Sequence, residues 1–496
     1  MTLEDIYLLG PEISLIVLAI SIILLGLMVS RVRLLTVITL IGLLIPLGIS
    51  ISLWIKLGTI ESQQIIGIFD SFVVDRFSLF FKFILIGVTG LIVLASFKPS
   101  INLKPYRAEY IFLILISTCG MMLLSSTIEL ISIYISLELS AIPIIALVTI
   151  SKSKHSIEAG MKLFILSAVS SAIFLYGVVF IYGFTGTTYL TIIAERISQS
   201  GLSLDHPFGS YAILIGALLI ISGLGFKIAS VPFQMWVPDV YEGAPTSITA
   251  FLSVASKAAG FAILIRILHV AFPTELLSYD WSHLVVILSV LSMCVGNILA
   301  ITQNNIKRML AFSTIAHAGY ILIGLAAISE TSQPFLIGTG GILFYIVAYT
   351  ATNLTAFFSV IAISGKIGSY NISDYGGIVR KAPLLAIPLG ISMISLLGLP
   401  PTAGFMAKLY IFGAAIEADM TWLVLIALVN SVVSGYYYLR VVKKVFLSKP
   451  ISEGNIVSPR SLSISLLIVS VTVLFLGIFP APVIELAQMA ANNFPP

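Results

Sequence analysis

Long apolar stretches separated by short polar ones recur along all 496 residues of the chain. An α-helix needs about 20 largely apolar residues to cross the hydrocarbon core of a bilayer. The predicted spans, 14 in all, are 8–29, 34–55, 77–97, 109–127, 129–150, 159–183, 211–230, 244–268, 283–303, 308–329, 335–364, 383–399 continuing through 405–416, 421–446 and 462–485. These stretches are continuous and lack the alternation of a membrane β-strand, so we predict an all-α polytopic transmembrane helical bundle.

Composition supports a protein that lies in lipid. Hydrophobic residues make up 58% of the chain and charged residues 10%, and the mean hydropathy of +1.11 excludes a water-facing surface of the soluble type. No segment between the spans is long enough for a separate domain. The first five residues include Glu4 and Asp5 and no basic residue, which predicts that the first span is retained and is not a cleaved signal peptide.

Basic residues alternate between the two sides of the predicted bundle. Most of the 26 Lys and Arg residues fall in loops after odd-numbered spans, whereas Lys56, Arg76, Arg196 and Arg266 fall in the opposite loops. By the positive-inside rule, both termini are expected on the periplasmic side of a bacterial cytoplasmic membrane. Mitochondrial inner membrane and thylakoid remain alternatives.

Several charged residues lie within the predicted spans. Lys257 is near the midpoint of the eighth, Glu138 is central in the fifth, and Lys227 and Lys408 are deep in the seventh and twelfth. A charge at the bilayer centre costs about 2.5–3.5 kcal/mol on insertion scales, so these four residues are candidates for function. Lys82 and Lys162 lie near span ends, where we expect a long side chain to reach the headgroups.

Buried lysines near a carboxylate can release and rebind protons. Burial lowers the pKa of a lysine and a nearby carboxylate raises it, so a change in the distance between Glu138 and Lys227 would move a proton to a neighbour such as Lys257. The alternative is a set of static buried ion pairs. That alternative accounts for at most one lysine per acid, and deep lysines outnumber deep acids.

Helix breakers occur at depth in two of the predicted spans. The seventh ends in Lys227-Ile-Ala-Ser-Val-Pro232, and the twelfth contains Pro400, Pro401 and Gly404. Broken helices in transporters commonly mark ion sites, whereas a kink that serves only packing is the alternative. Polar residues that could hold water accompany these breaks: Ser253, Ser256, Ser313, Thr314, Tyr345, Tyr349, Thr350 and Asn353. His317 is a candidate relay or, equally, a hydrogen-bonded packing residue.

Residues 227–257 read KIASVPFQMWVPDVYEGAPTSITAFLSVASK. This segment resembles the signature region of the antiporter-like membrane subunits of respiratory complex I, the NADH-quinone oxidoreductase. Its stretch from Pro238 to Thr246 is most similar to the N subunits, the counterparts of mitochondrial subunit 2. The resemblance covers essentially the whole chain. Lys408 argues against the M subunit, which carries glutamate there, and the chain ends without the long lateral helix of the L subunit.

The resemblance implies an architecture and a set of residues. Residues 1–107 would hold three spans, 108–270 and 283–446 two inverted five-helix repeats, and 462–485 the last span. The seventh and twelfth helices would be discontinuous. Residue by residue, Glu138, Lys227, Lys257 and Lys408 match the family's ionisable positions on helices five, seven, eight and twelve, and His317 is the least certain member.

The resemblance also implies a proton-translocating subunit of an enzyme whose redox chemistry lies elsewhere. The chain has no dinucleotide fingerprint, cysteine cluster or metal-ligand spacing, and its two cysteines are expected to be packing residues. NADH or ferredoxin, FMN, iron–sulfur clusters and quinone would bind to partner subunits. M-, K- and J-like membrane-arm subunits and the bilayer are the implied partners, with no nucleic acid. The alternatives are a subunit of a cation/proton antiporter and a non-transporting scaffold.

Overall fold

A computed structural model describes residues 3–28, 32–60, 64–67, 69–97, 106–199, 207–272, 275–328, 335–449 and 458–492. The described chain is almost entirely helical. In chain order the helices are α1 Leu3–Leu8, α2 Gly10–Met28, α3 Val32–Gly42, α4 Leu44–Leu57, α5 Arg76–Ala95, α6 Arg107–Ser126, α7 Leu130–Thr149, α8 Lys154–Thr185, α9 Leu190–Gln199, α10 Pro207–Ile228, α11 Trp236–Gly243, α12 Thr246–Phe251, α13 Lys257–Ala271, α14 Glu275–Ile301, α15 Ile306–Ile328, α16 Phe335–Ile367, α17 Pro383–Leu397, α18 Ala403–Glu417, α19 Thr421–Leu447, α20 Arg460–Ile478 and α21 Ala481–Ala491.

The helices account for the predicted number of membrane spans. Among the described residues, 13 helical stretches are long and apolar enough to cross a bilayer, with α3 and α4 forming one and Thr246–Ala271 another. The shorter apolar helix α17 and helix α18 after it make up the twelfth predicted span. The all-α membrane bundle is therefore confirmed. Its division into two inverted repeats stays a prediction.

Both predicted helix breaks are present. Helix α10 ends at Ile228 and the chain turns at Ala229, whose φ is +62°, before α11 begins. Helix α17 ends at Leu397, and Gly398 follows with a φ of +90°, a conformation that glycine adopts without steric cost. Proline residues downstream of each turn cannot continue the helix because they lack an N–H group. At the first break the freed Val231 N–H donates to Ser292 Oγ at 2.9 Å.

One span contains a further irregularity. Residues Leu252–Ser256 form a π-helical turn between α12 and α13, so the regular hydrogen-bond ladder is interrupted directly before Lys257. Single π turns inside α-helices are frequent at functional sites. This span and α15 are entirely enclosed by other helices, whereas most of α8 faces outward. The irregular helix therefore lies at the centre of the bundle.

A short antiparallel hairpin lies between the second and third spans. Strand β1 (Gln64–Gly67) pairs with β2 (Phe72–Asp75), which leads directly into α5. Asp75 caps α5 by accepting from the backbone N–H of Ser78 at 2.7 Å. The hydropathy pattern did not indicate this hairpin, because its strands have only four residues each.

Two charged residues are placed differently from the sequence expectation. Lys82 was expected to reach the headgroups, but its side chain is fully buried, with Nζ 2.8 Å from Glu12 Oε1. Arg266 was counted near the end of the eighth span, on the side opposite to most basic residues; it lies inside α13 and bonds Asp75 with two N–H groups at 3.0 and 3.1 Å. Hydropathy predicts how deep a residue lies along a helix but not the face on which its side chain lies, so neither interaction could be predicted from it.

Lys162 is placed as the sequence predicted, whereas Lys307 is not. Lys162 is 43% exposed and pairs with Glu158 and Asp239, as expected of a residue near a span end. Lys307 was counted with the loop residues, but it is buried and its Nζ donates to the carbonyls of Glu242 at 2.8 Å and Ala244 at 2.7 Å. Lys307 therefore ties the start of α15 to the end of α11.

Close packing of α6 on α7 depends on Gly120. A Cβ at this position would lie 2.6 Å from the backbone nitrogen of Ser140 and 2.8 Å from the carbonyl carbon of Leu139. Both atoms are backbone and cannot rotate away. The glycine therefore sets the position of the α7 segment that carries Glu138.

We predict that Gly120→Ala weakens the α6–α7 contact by about 1–3 kcal/mol, the usual cost of overpacking. The thermal aggregation midpoint of the detergent-extracted protein should fall, as measured by the fraction that stays soluble. Gly87→Ala is the matched control, because a Cβ there meets nothing within 4 Å. Equal midpoints for the two variants would contradict the contact.

Candidate functional site

The first part of the candidate site is a cavity between α7, α8 and α10. It has about 550 Å³ of empty space, its open side included, and is lined by both Glu138 and Lys227. Its polar lining comes from Ser167, Ser170 and Ser171 on α8 and from Ser256 in the π turn, as the cavity lining shows. One wall is apolar and includes Phe174, Phe226 and Trp236. The cavity thus contains the one acidic residue of the predicted set and one of its three lysines.

Within this cavity the two charges are bonded to serines. Lys227 Nζ donates to Ser140 Oγ at 2.7 Å, and Ser171 Oγ donates to Glu138 Oε1. No direct ion pair joins Glu138 to Lys227 in the described structure, where ion pairs are counted to 4.0 Å. Lys227 lies in the last turn of α10, where the helix dipole favours a positive charge. Glu138 and Lys227 therefore lie in one cavity, each bonded to a different serine.

Lys257 follows the π turn and is 3% exposed. Its Nζ donates to the backbone carbonyl of Thr314 on α15 and lies 5.7 Å from the ring centroid of Tyr349 on α16. Both partners are neutral, so in the described structure no carboxylate neutralises this ammonium group. The charge is held by a carbonyl dipole and an aromatic face.

Lys227 and Lys257 are brought together by the packing of α10 on α13. A Cβ on Gly260, one turn after Lys257, would lie 3.2 Å from Lys227 Cγ and 2.9 Å from Ile228 Cγ2. The missing side chain at residue 260 lets the stem of Lys227 pass beside α13. Ser256 lies on the cavity wall next to Lys257 in sequence, so the cavity leads towards the second lysine.

Hydroxyl groups continue from Lys257 to His317. Tyr349 donates to Thr314 Oγ1 at 3.0 Å and accepts from Asn353 Nδ2 at 3.0 Å. The rings of Tyr349 and His317 are 5.3 Å apart between centroids. His317 Nδ1 is 2.7 Å from the hydroxyl of Tyr345.

The other ring nitrogen of His317 also has a hydroxyl partner. His317 Nε2 is 3.3 Å from the hydroxyl of Tyr438, which in turn lies 2.5 Å from Ser313 Oγ. A neutral imidazole donates from one nitrogen and accepts at the other, so the ring can take a proton on one side and release it on the other. Both interpretations of His317, a relay and a hydrogen-bonded packing residue, stay predictions.

Lys408 is the last of the five predicted residues and lies at the second helix break. Its Nζ donates to the carbonyl of Leu397, the last residue of α17, at 2.8 Å and to Ser431 Oγ at 2.8 Å. The same ammonium lies 4.7 Å from the ring of Tyr320, which packs edge-on against His317 at 5.7 Å. A Cβ on Gly398 would come within 2.9 Å of the Lys408 side chain, so glycine is needed here for space as well as for backbone conformation.

The structure therefore arranges all five predicted residues in one order: Glu138, Lys227, Lys257, His317, Lys408. Of the predicted polar companions, Thr314, Tyr345 and Tyr349 contact members of the row. Ser313 and Asn353 bond tyrosines beside it, and Ser256 lines the Glu138–Lys227 cavity. Ser253 instead bonds the backbone carbonyl of Ala250 at 2.8 Å, within its own helix. Thr350 is buried with no hydrogen bond from its hydroxyl in the described structure.

Sequence reasoning missed several contacts of the row, namely Ser140, Ser171, Tyr320, Ser431 and Tyr438. Serine and tyrosine are common in membrane helices, so none of these stands out by hydropathy. Tyr438 is one of three successive tyrosines, and only the turn of the helix decides which faces inward. Tyr436 is 62% exposed whereas Tyr438 is 1% exposed.

A family profile described as the transmembrane part of NADH:quinone oxidoreductases and Mrp antiporters matches residues 127–434. The chain belongs to this family. The matched residues include all five members of the row and exclude α1–α5. The resemblance drawn from residues 227–257 is thereby confirmed.

Individual relatives agree with the family. The chain is 42% identical to NADH-quinone oxidoreductase subunit N of Dehalococcoides mccartyi over 84% of this chain and 86% of the relative. It is 40% identical to subunit N of Desulforamulus reducens over 98% of each chain. A chain of respiratory complex I from Thermus thermophilus superposes with a TM-score of 0.79 at 31% identity, covering 96% of this chain and 99% of that one. This family member is thus an antiporter-like, multi-pass membrane subunit of the subunit N type.

We predict that Tyr438→Phe leaves the amount of assembled protein unchanged and lowers coupled turnover about fivefold. The substitution removes one hydroxyl that contacts both Ser313 and His317, and a net hydrogen bond contributes about 1 kcal/mol. Quinone reduction coupled to proton uptake in membrane vesicles measures the effect. Tyr436→Phe is the control, since its side chain faces outward. Equal losses in both variants would argue against the role of Tyr438.

Proposed function

We propose that the row from Glu138 to Lys408 carries protons and that this chain is a proton-translocating subunit of an NADH-quinone oxidoreductase. One observation supports this most strongly: Lys257 is fully enclosed, yet only neutral groups bind its ammonium. A carboxylate is the partner that best offsets the loss of hydration of a buried ammonium, and Lys257 has none among the described residues. An ammonium held by a carbonyl and a ring can instead lose its proton at low cost, because burial favours the neutral amine.

The proposed cycle begins at the Glu138–Lys227 cavity. When Glu138 turns from Ser171 towards Lys227, the carboxylate stabilises the ammonium form of that lysine. When it returns to Ser171, Lys227 releases its proton towards Lys257, and water in the cavity bridges the gap. A shift of two pKa units corresponds to roughly 2.7 kcal/mol, similar to moving one charge through about 100 mV of membrane potential.

From Lys257 the proton passes to His317 and then to Lys408. Tyr349 bonds Thr314 near Lys257, Tyr345 bonds His317, and water would complete the path between these two hydrogen-bonded pairs. A positive charge on His317 repels the ammonium forms of both neighbouring lysines, so occupation of one site favours release from the next. The helix breaks at Ile228 and Leu397 leave backbone carbonyl and N–H groups without helical partners, and these groups can reorient when the charge of a nearby lysine changes.

The redox reaction is assigned to partner subunits. We propose that NADH or ferredoxin, FMN, iron–sulfur clusters and quinone bind there, and that M-, K- and J-like subunits contact this chain in the membrane arm. The proposed location is the bacterial cytoplasmic membrane, with both termini on the periplasmic side. Residues 108–270 and 283–446 would form the two inverted repeats, each with one broken helix.

A subunit of a cation/proton antiporter is the second candidate, because the family also includes Mrp antiporters. The chemistry of the row favours protons over metal cations. Three lysines and a histidine present N–H donors to the pathway, and a sodium ion needs oxygen ligands and a negative site. Dependence of proton uptake on sodium would favour the antiporter.

We predict that Lys257→Met leaves assembly intact and lowers proton uptake and coupled turnover by at least roughly tenfold, as expected when a proton-transfer group is removed. The assay is the native complex in sealed vesicles, with donor:quinone electron transfer and proton uptake measured together. A native gel checks assembly.

Lys366→Met is the matched control, because Lys366 is an exposed lysine in the last turn of α16, the helix that carries Tyr349. It should behave as wild type. Wild-type proton uptake in assembled Lys257→Met would show that Lys257 is structural and that the proposed pathway is wrong.

A further inference from the structure

Helix α5 carries polar residues on one face at intervals of seven. Asp75 lies directly before the helix, and Lys82, Thr89 and Ser96 follow along the same face. Each bonds or pairs with another helix: Asp75 with Arg266 on α13, Lys82 with Glu12 on α2, Thr89 with Thr118 on α6, and Ser96 with Arg107 on α6. Seven residues make nearly two turns, so the four positions face the same side. This polar face lies outside the residues that match the family profile.

The two ion pairs on this face differ in the number of hydrogen bonds that their charged groups make. Asp75 accepts two N–H bonds from Arg266 and one from the backbone of Ser78, and Arg266 also donates to the carbonyl of Ser125 at 2.9 Å. Glu12 and Lys82 are 2% and 0% exposed and lie 2.8 Å apart. Neither carboxylate oxygen of Glu12, nor Lys82 Nζ, has a hydrogen bond of good geometry to any described group.

We infer that Glu12 and Lys82 form a proton-binding site separate from the row of the proposed function. Two unsatisfied buried charges are costly, since the loss of hydration exceeds their attraction unless further hydrogen bonds compensate. Transfer of one proton removes both charges: an N–H bond of Lys82 breaks, an O–H bond of Glu12 forms, and no electron moves. The pair can then bind a further proton at Lys82 or return to the charged form.

Of the two ion pairs, only Glu12–Lys82 can exchange a proton internally, because its cation is a lysine and not an arginine. Arginine stays protonated in proteins, so the Asp75–Arg266 pair cannot become neutral by internal transfer. Lysine loses its proton readily when buried. The structure thus places a fixed pair and an exchangeable pair two turns apart on one helix, and the first is an internal control for the second.

The ligand is a proton from the aqueous side at the hairpin end of α5. Lys82 is six residues from the first residue of the helix, about 9 Å at 1.5 Å per residue, and more than twice as far from its other end. Glu12 lies in the first turn of α2, where the helix dipole favours a carboxylate. The ring of Phe72 from the hairpin covers the ammonium at 5.0 Å.

Other charged or titratable groups near the pair are few and already bonded. From α6, the thiol of Cys119 donates to the backbone carbonyl of Glu12 at 3.8 Å. From α4, Lys56 pairs with Glu4 at the exposed end of the helix. From α13, Arg266 is bonded to Asp75. Lys82 is therefore the charged group that contacts the Glu12 carboxylate in the described structure.

The test uses dicyclohexylcarbodiimide, a lipid-soluble reagent that adds to carboxylic acids only in their protonated form. The whole complex in native membranes is labelled across a pH series, and modification of Glu12 and Asp75 is read by peptide mass spectrometry. We expect Glu12 to be labelled, with labelling that falls about tenfold per pH unit above its midpoint. Asp75 should stay unlabelled. Proton uptake is not the readout, so failure here is distinct from failure of the proposed function.

Variants of Lys82 separate a proton site from a static pair. In Lys82→Met, Glu12 lacks a cation and should be labelled at every pH; in Lys82→Arg, labelling should be lost. If Glu12 is labelled in Lys82→Met but never in wild type, or equally at every pH in wild type, the inference is overturned. If the reagent labels neither, infrared titration decides: a pH-dependent carboxylic acid C=O band that disappears in Glu12→Gln supports the site, and its absence overturns it.

Discussion

The structure depends on one constraint: an ammonium group enclosed in a membrane bundle must be bound by oxygen atoms or aromatic faces of the chain itself. The lysines of the row meet it with neutral partners. Lys408 uses the carbonyl of Leu397 at a helix break, Lys257 uses the carbonyl of Thr314, and Lys227 uses the hydroxyl of Ser140. The carbonyl of Leu397 is available because it lies at the end of α17, where carbonyls have no partner within the helix, whereas Thr314 and Ser140 lie inside regular helices.

The depth of the buried lysines in the bundle and the positions of the two helix breaks were predictable from the sequence. Lys257 is too far from either end of its span to reach water, and prolines cannot continue a helix, so the buried lysines and both breaks follow from helix geometry and backbone chemistry. The face of a helix was harder to predict. Lys82 lies near a span end, but it turns towards Glu12 rather than towards the headgroups, and a pair separated by 70 positions in the chain has no local signature.

The hydroxyls that link the charged residues could not be predicted as a set. Tyr436, Tyr437 and Tyr438 are adjacent, yet a rotation of about 100° per residue sends the first outward and the other two into the bundle. The π turn before Lys257 also has no distinctive composition, because it arises from a slip in hydrogen bonding and not from a particular residue. Its position depends on how α13 packs against its neighbours.

In the proposed function, helix α13 carries both a fixed charge and an exchangeable one, and this division has a mechanical consequence. Helix α13 carries Lys257 at its start and Arg266 nine residues later, and the arginine is held by Asp75 and Ser125. Arginine keeps its charge, so this end of α13 stays anchored in every protonation state. The π turn at the other end has the weaker hydrogen-bond ladder. In the proposed function, a change of charge at Lys257 would therefore be accommodated at the π turn, beside Ser256 and the Glu138–Lys227 cavity, while the rest of the helix keeps its place.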